Sequence, residues 1–158
     1  MKQFTEQKTT WETPQWLFDL LNETFGFTLD VCSTHENAKC VAHFTEAENG
    51  LAQSWSGHVC WMNPPYGREI REWCEKAYIE SEGGTLIIGL VPARVDTGWW
   101  FDYCAKAAEI WFIRGRLRFG DSRDNAPFPS AVVVWSANLR DREEQKIRWW
   151  DPRRTCNE

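Results

Sequence analysis

The chain has 158 residues, a formal charge of −5 and 42% hydrophobic residues. That length suits one domain with a full core, and that apolar content excludes a disordered chain. No stretch of 18 apolar residues occurs, which excludes a membrane-spanning helix on hydropathy; the negative charge argues against strong nonspecific binding to nucleic acid. None of the six cysteines forms a C-x-x-C pair. They read as reduced, buried small side chains of a cytoplasmic protein, with no metal site expected.

Residues 1–10 are polar, lack an apolar signal core and read as a flexible lead. Residues 11–138 read as the domain, and the highly charged 139–158 as a C-terminal helix or tail. Thr13-Pro14 starts a helix, with Thr13 as N-cap and Pro14 at the first helical position. Leu17, Leu20 and Leu21 form its apolar face, and Gly26 ends it. Phe27–Cys32 follows as a short strand that carries Asp30 near its end. Residues 33–57 have the weakest pattern: a helical turn at Asn37–Val41, a short strand at His43–Thr45 and a turn at Glu46–Gly50. His35 and His43 read as surface or packing residues.

His58–Met62 is an apolar run that reads as a buried strand. After Tyr66-Gly67, the spacing of Ile70, Trp73, Cys74, Ala77 and Tyr78 predicts a helix, which Gly83-Gly84 stops. Thr85–Val91 is continuously apolar, as in the central strand of a parallel sheet, and Pro92 ends it. Asp96-Thr97 caps a further helix carrying Trp100, Phe101, Cys104 and Ala108. Glu109–Ile113 reads as a strand, 114–129 as a basic loop and Ser130–Trp135 as the last strand. Strands alternating with helices predict a layered α/β domain with a mostly parallel sheet. The final strand–loop–strand, with no room for a helix, places one antiparallel strand at an edge.

The segment that organises this pattern is Asn63-Pro64-Pro65-Tyr66, between the apolar strand and the amphipathic helix. Two prolines fix φ and donate no N–H, and each pushes its predecessor out of the helical region. The result is a stiff extended turn with free carbonyls at the carboxyl end of a strand, where open α/β sheets bind ligands. Methylation of an exocyclic amine fits these residues. The lone pair of such an amine is delocalised into its ring, and an Asn oxygen plus the next carbonyl can accept its N–H bonds and return density to nitrogen. Tyr66 offers a π face for a base taken out of its stack. Asp30, at a strand end, is suited to the amino group of a bound cofactor, although no G-x-G-x-x-G loop accompanies it.

Arg114, Arg116 and Arg118 alternate, so on an extended segment they share a face. Arginine suits phosphate and bidentate guanine contacts. Arg68 and Arg94, beside the expected cleft, are further candidates.

In chain order, Trp11-x-Thr13-Pro14, Leu29-Asp30-Val31-Cys32, Asn37-Ala38-Lys39-Cys40, Asn49-Gly50-Leu51, Asn63-Pro64-Pro65-Tyr66-Gly67, Trp73-x-x-Lys76-Ala77, Pro92-x-Arg94-x-Asp96-Thr97-x-Trp99, Gly115-Arg116-Leu117-x-Phe119 and Ala126-Pro127-Phe128-Pro129-Ser130 resemble the small Dam-like DNA N6-adenine methyltransferases of phages and prophages. The resemblance covers residues 11–136. It implies a Rossmann-like fold, S-adenosylmethionine as methyl donor, duplex DNA as substrate and N6-methyladenine formed on a flipped base, in the cytoplasm of a bacterial host. It implies that Asn63, Pro64, Pro65 and Tyr66 are catalytic, with Asn63 and the Pro64 carbonyl on the amine and Tyr66 stacked on the base. Trp11, Thr13, Pro14, Asp30, Cys32, Ser33 and Asn63 fall on the cofactor side. Arg68, Arg94, Arg114, Arg116 and Arg118 are the expected DNA contacts, on a short GATC-like site and with a homodimer as one arrangement. Two departures stand out. The Phe-x-Gly-x-Gly loop of larger relatives is absent, and the short Asp30-to-Asn63 interval implies a sheet cut down at that end. Other readings are amino methylation of cytosine N4, RNA adenine or a protein glutamine, and an inactive DNA-binding protein on the same scaffold.

Overall fold

The computed structural model describes residues 10–140 and 144–154; the polar lead over residues 1–9 and Cys156 lie outside them. One six-stranded sheet runs through the domain: β1 (Leu29–Asp30), β2 (Val59–Met62), β3 (Leu86–Pro92), β4 (Glu109–Ile113), β5 (Ser130–Trp135) and β6 (Lys146–Trp150). Their spatial order is β1-β2-β3-β5-β4-β6. β1, β2 and β3 are mutually parallel, β5 is antiparallel to both β3 and β4, and β6 is parallel to β4. Five strands therefore point one way and β5 alone is reversed.

The α/β class and the mostly parallel sheet are as expected, but the reversed strand is not at an edge. β5 is buried along its whole length between β3 and β4. The edge beyond β4 is filled by β6, inside the segment expected to be a helix or tail. Among the described residues a short helix, α3 (Ala137–Arg140), straddles the start of that segment, ahead of the strand. β6 has charged residues between its apolar ones and is largely exposed, so its pattern does not mark a buried strand. Rings hold it to β4: Trp149 stacks on Phe112 at 5.0 Å, and Trp150 meets Trp111 edge-on at 5.2 Å.

Helix α1 (Gln15–Phe25) buries Leu17, Phe18 and Leu21 and ends at Gly26, whose φ of 65° lets its N–H reach the Asn22 carbonyl. Phe18 meets Trp61 of β2 edge-on at 5.6 Å, which sets the helix against the sheet. Helix α2 (Ile70–Glu82) buries Ile70, Trp73, Cys74, Ala77 and Ser81, close to the spacing read from sequence. The expected helix after Asp96 is a short π-helical turn, Trp100–Cys104; Thr97 caps it, its hydroxyl accepting the Trp100 N–H at 3.3 Å.

The strand expected over Phe27–Cys32 shrinks to two residues, and His43 contributes only an isolated bridge to Asp30. Between β1 and β2 the only regular helix among the described residues is a 3-10 turn, Gly50–Ala52. β1 is thus the last strand on its side of the sheet. Cys32, Cys40, Cys60, Cys74 and Cys104 are free thiols, the last three buried.

Gly89, in the middle of β3, has no room for a side chain. A Cβ there lies 2.7 Å from the Trp135 ring and 3.2 Å from the Met62 methyl. Both neighbours are fully buried, so neither can swing into solvent. Gly89→Ala is expected to destabilise the fold by about 1–3 kcal/mol through overpacking, read as a lower urea midpoint with an unchanged slope.

Candidate active site

The carboxyl ends of β1 and β2 open into one cavity of about 710 Å³. β2 delivers Asn63 to it, and the two prolines carry the chain away from the sheet. Trp11, Thr13, Asp30, Cys32, Ser33, Asn63, Pro64, Pro65 and Arg68 all line it. Pro14 does not. It caps α1 from outside, its carbonyl taking the N–H groups of Leu17 and Phe18 at 3.1 and 3.2 Å.

Thr13 was expected to cap that helix, and it does not; no side-chain cap bond forms there. Its hydroxyl instead accepts an N–H of the Asn63 amide at 2.9 Å, while the Trp11 carbonyl accepts the other at 2.6 Å. A carbonyl can only accept, so the amide nitrogen must face Trp11 and the oxygen must face away. That oxygen, Asn63 Oδ1, is buried without a partner. Two other cavity-lining groups share this condition, the Ser33 hydroxyl and the Trp73 indole N–H. Buried polar groups are rarely left unpaired, so three around one cavity mark a surface built for a polar ligand.

Asp30 is 2% exposed. One carboxylate oxygen accepts the Cys32 N–H at 3.2 Å and the other the Lys39 N–H at 2.9 Å. Burial dominates those bonds and raises its pKa from 3.8 to about 6. Burial also pushes the Cys32 thiol up to about 12, with the Asp30 charge adding to it, so Cys32 is no thiolate nucleophile.

Tyr66 is placed differently from its expected role. It is 8% exposed, does not line the cavity and donates its hydroxyl to the Leu90 carbonyl at 2.8 Å. Phe128 and Phe119 meet its ring edge-on at 5.5 and 6.2 Å, and the same two rings meet Trp11 at 5.1 and 5.6 Å. The hydroxyl needs an acceptor once buried, and the β3 carbonyl supplies it. A stacked base therefore requires this aromatic cluster to open.

Among the arginines, Arg68 is exposed at the cavity mouth, and Arg94 lies over the Phe128 ring at 5.8 Å. Arg114, Arg116 and Arg118 do not share one face as expected. Gly115, at φ 74°, breaks the extended run, and Arg114 turns to Asp151 at 3.3 Å. Only Arg116 and Arg118 alternate, with Leu117 and Phe119 buried beneath them.

The family model described as DNA N-6-adenine-methyltransferase (Dam) matches residues 2–146. The chain belongs to the DNA N-6-adenine-methyltransferase (Dam) family. It is 28% identical over 137 residues to the DNA N-6-adenine-methyltransferase of Haemophilus phage HP1, covering 81% of this chain and 79% of that protein. To the protein of that name from Escherichia phage T1 it is 33% identical over 110 residues, covering 68% of this chain and 45% of the relative.

Reading this Dam-family chain residue by residue misses two parts of the cavity. Trp73 reads as a core position of α2, yet its indole N–H is orphaned at the cavity wall. Gly50 looks like part of a turn, but a Cβ there collides with the Val31 carbonyl, so the 3-10 turn presses directly on the residue after Asp30. The Asn49-Gly50 pair was the available signal: Asn49 is the one non-glycine residue with positive φ among the described residues.

The Asp30 shift has a signed consequence. The folded state holds this proton more tightly than the unfolded chain, so the group's contribution to stability is fully present below pH 3.8 and lost as pH rises through about 6. Urea titrations across this range are expected to show wild type losing on the order of 2 kcal/mol relative to Asp30→Asn.

Proposed function

We propose that this cavity transfers a methyl group from S-adenosylmethionine to the N6 amine of adenine in duplex DNA, on a base flipped out of the helix. Family membership supports DNA adenine over cytosine, RNA or protein amide. The single observation that carries the site assignment is the Asn63 amide: its nitrogen is fixed by two acceptors, and its oxygen is buried, unpartnered and on the cavity wall. An acceptor already desolvated and aimed costs no reorganisation when charge develops on the attacking amine.

The residues present fit the cofactor. Asp30 would face its cationic amino group, and the Ser33 hydroxyl and Trp73 N–H would meet its other polar groups. The bound cofactor supplies an electrophilic methyl group on a sulfonium. Asn63 Oδ1 and the Pro64 carbonyl would accept the two amine hydrogens, which keeps the nitrogen lone pair toward the methyl. After transfer one N–H proton leaves to water. No side-chain base is invoked: burial pushes the Tyr66 phenol well above its ordinary value and the Cys32 thiol up to about 12. Tyr66 would stack on the base once Phe119 or Phe128 moves aside, with Arg68 and Arg94 flanking the entrance and Arg114 nearer the C-terminal segment.

The shortened sheet is, in this reading, a reduced Rossmann-like methyltransferase fold. The phage relatives support a place in the cytoplasm of a bacterial host. A second copy would pair along the β6 edge, where Ile147 and Trp149 are exposed; sedimentation velocity tests that arrangement.

Labelled S-adenosylmethionine and unmethylated duplex DNA test the activity. Wild type is expected to place label in N6-methyladenine, and Asn63→Ala to lower kcat by about 100-fold or more while the cofactor still binds. Label in N4-methylcytosine, or none, overturns the reading. Thr13→Val removes one of the two anchors of the amide; it is expected to lower kcat about 10-fold, with Thr13→Ser restoring most of the rate.

A further inference from the structure

Three arginines converge on a second groove, outside the catalytic cavity. This groove, about 520 Å³, is lined by Trp16, Gly115, Arg116, Arg118, Asn125, Pro152 and Arg153. Among the described residues no carboxylate lines it, in a chain whose net charge is −5. Among the described residues, Arg116, Arg118 and Arg153 make no ion pair, whereas Arg71, Arg114, Arg140, Arg148 and Arg154 each face an acid. Three guanidinium groups gathered without a counter-charge repel one another, and an anionic ligand removes that cost.

The groups are held in place rather than free on the surface. Arg153 donates to the carbonyls of Arg114 and Arg116 at 3.1 and 3.0 Å, and its guanidinium lies over the Trp16 ring at 5.8 Å. Arg118 donates to the Asn125 amide oxygen at 3.2 Å, and Arg116 to the Ala126 carbonyl at 3.5 Å. Each arginine uses only part of its five-donor fork in these bonds. The residue that closes the groove, Arg153, comes from the segment after β6.

The groove and the catalytic amide are built on the same two pieces of chain. Residues 116–119 are a two-faced strip: Leu117 and Phe119 point inward, with Phe119 against Tyr66 and Trp11, and Arg116 and Arg118 point outward. Trp16 sits in the first turn of α1, just after the Trp11 and Thr13 groups that hold Asn63. A polyanion seated in the groove is therefore fixed relative to the base presented to Asn63.

We propose that this groove binds the sugar–phosphate backbone of the substrate duplex beside the target adenine, with Arg116, Arg118 and Arg153 on phosphates and the exposed edge of Trp16 against the sugar. The proposal rests on the DNA reading above and adds the anchoring site to it. A backbone anchor raises affinity without reading sequence, so its loss falls on DNA binding rather than on chemistry.

The test uses the full chain and a short unmethylated duplex, with binding read by fluorescence anisotropy from 50 to about 300 mM salt. Arg116→Gln and Arg118→Gln together are expected to reduce the slope of log K against log salt by about 2 and to weaken binding at least 10-fold near 0.1 M salt. KM for DNA rises accordingly, while kcat at saturating duplex and cofactor affinity are retained. Arg153→Gln should reduce the slope by about one further unit. Unchanged slope and KM in the double variant overturn the proposal, as does loss of binding to an RNA of the same length with duplex DNA binding intact. If wild type transfers no methyl group to DNA yet binds it through these arginines, the activity reading fails and the groove stands. Transfer to DNA with no dependence on the arginines has the opposite meaning.

Discussion

The side chain of Asn63 is held by groups 50 and 52 residues away in the chain, the Thr13 hydroxyl and the Trp11 carbonyl. A carboxamide has two ends of nearly equal shape and opposite hydrogen-bonding character. Only the environment decides which end faces which way, and a backbone carbonyl decides it without ambiguity because it cannot donate. Helix α1 supplies the mechanical part. Its buried face docks Phe18 on Trp61 of β2, one strand position before Met62 and two before Asn63. The helix start and the strand end are thus clamped together, and the segment before the helix lies where its polar groups reach the amide.

The reversal of β5 depends on the same end of the sheet. β4 runs toward the carboxyl ends of β2 and β3, and β5 starts there, with Ser130 paired to Pro92 and the Pro129 carbonyl accepting the Ala93 N–H at 2.8 Å. The long connection between them has to lie over the site. Its apolar residues, Leu117, Phe119, Ala126 and Phe128, are all buried, so it is a strap fastened to Tyr66 through Phe119 and Phe128 rather than a solvated loop. This puts the outward-facing Arg116 and Arg118 on the same strap whose Phe119 packs against Tyr66. The segment after β6 adds Arg153 beside them.

The β1 side of the cavity is ordered without a glycine-rich loop. The turn after β1 is ordered by Asp30, whose two oxygens each take a backbone N–H, and by the 3-10 turn pressed against Val31 through Gly50. The cost appears in the raised pKa of the carboxyl. In the proposed function that carboxylate faces the cationic amino group of the cofactor.

Much of the domain was legible because local patterns and tertiary demands agree. The helical spacing from Ile70, the apolar runs at β2, β3 and β5, and the Gly26 stop each describe an element whose surroundings want the same thing. The Asn63-Pro64-Pro65 turn was legible for a related reason: proline restricts the backbone whatever surrounds it. Other features had no local signal. Thr13 before a proline is a sound N-cap in isolation, but a long-range amide competes for its hydroxyl and wins. Arg114 alternates with Arg116 and Arg118 on paper, but Gly115 turns the backbone between them. Tyr66 looks like an exposed stacking platform until the rings of Phe119 and Phe128 fold onto it. β6 is largely exposed, with Lys146 and Arg148 among its apolar residues, and its strand character comes from the open edge of β4 rather than from its own composition. By itself the sequence determined the α/β class and the position of the Asn63-Pro64-Pro65 turn, because these rest on backbone restriction and short-range periodicity, and its motifs carried the resemblance to the family. Only the tertiary structure decided which way the Asn63 amide points, where the reversed strand lies and which arginines share a groove, because each depends on contacts between segments far apart in the chain.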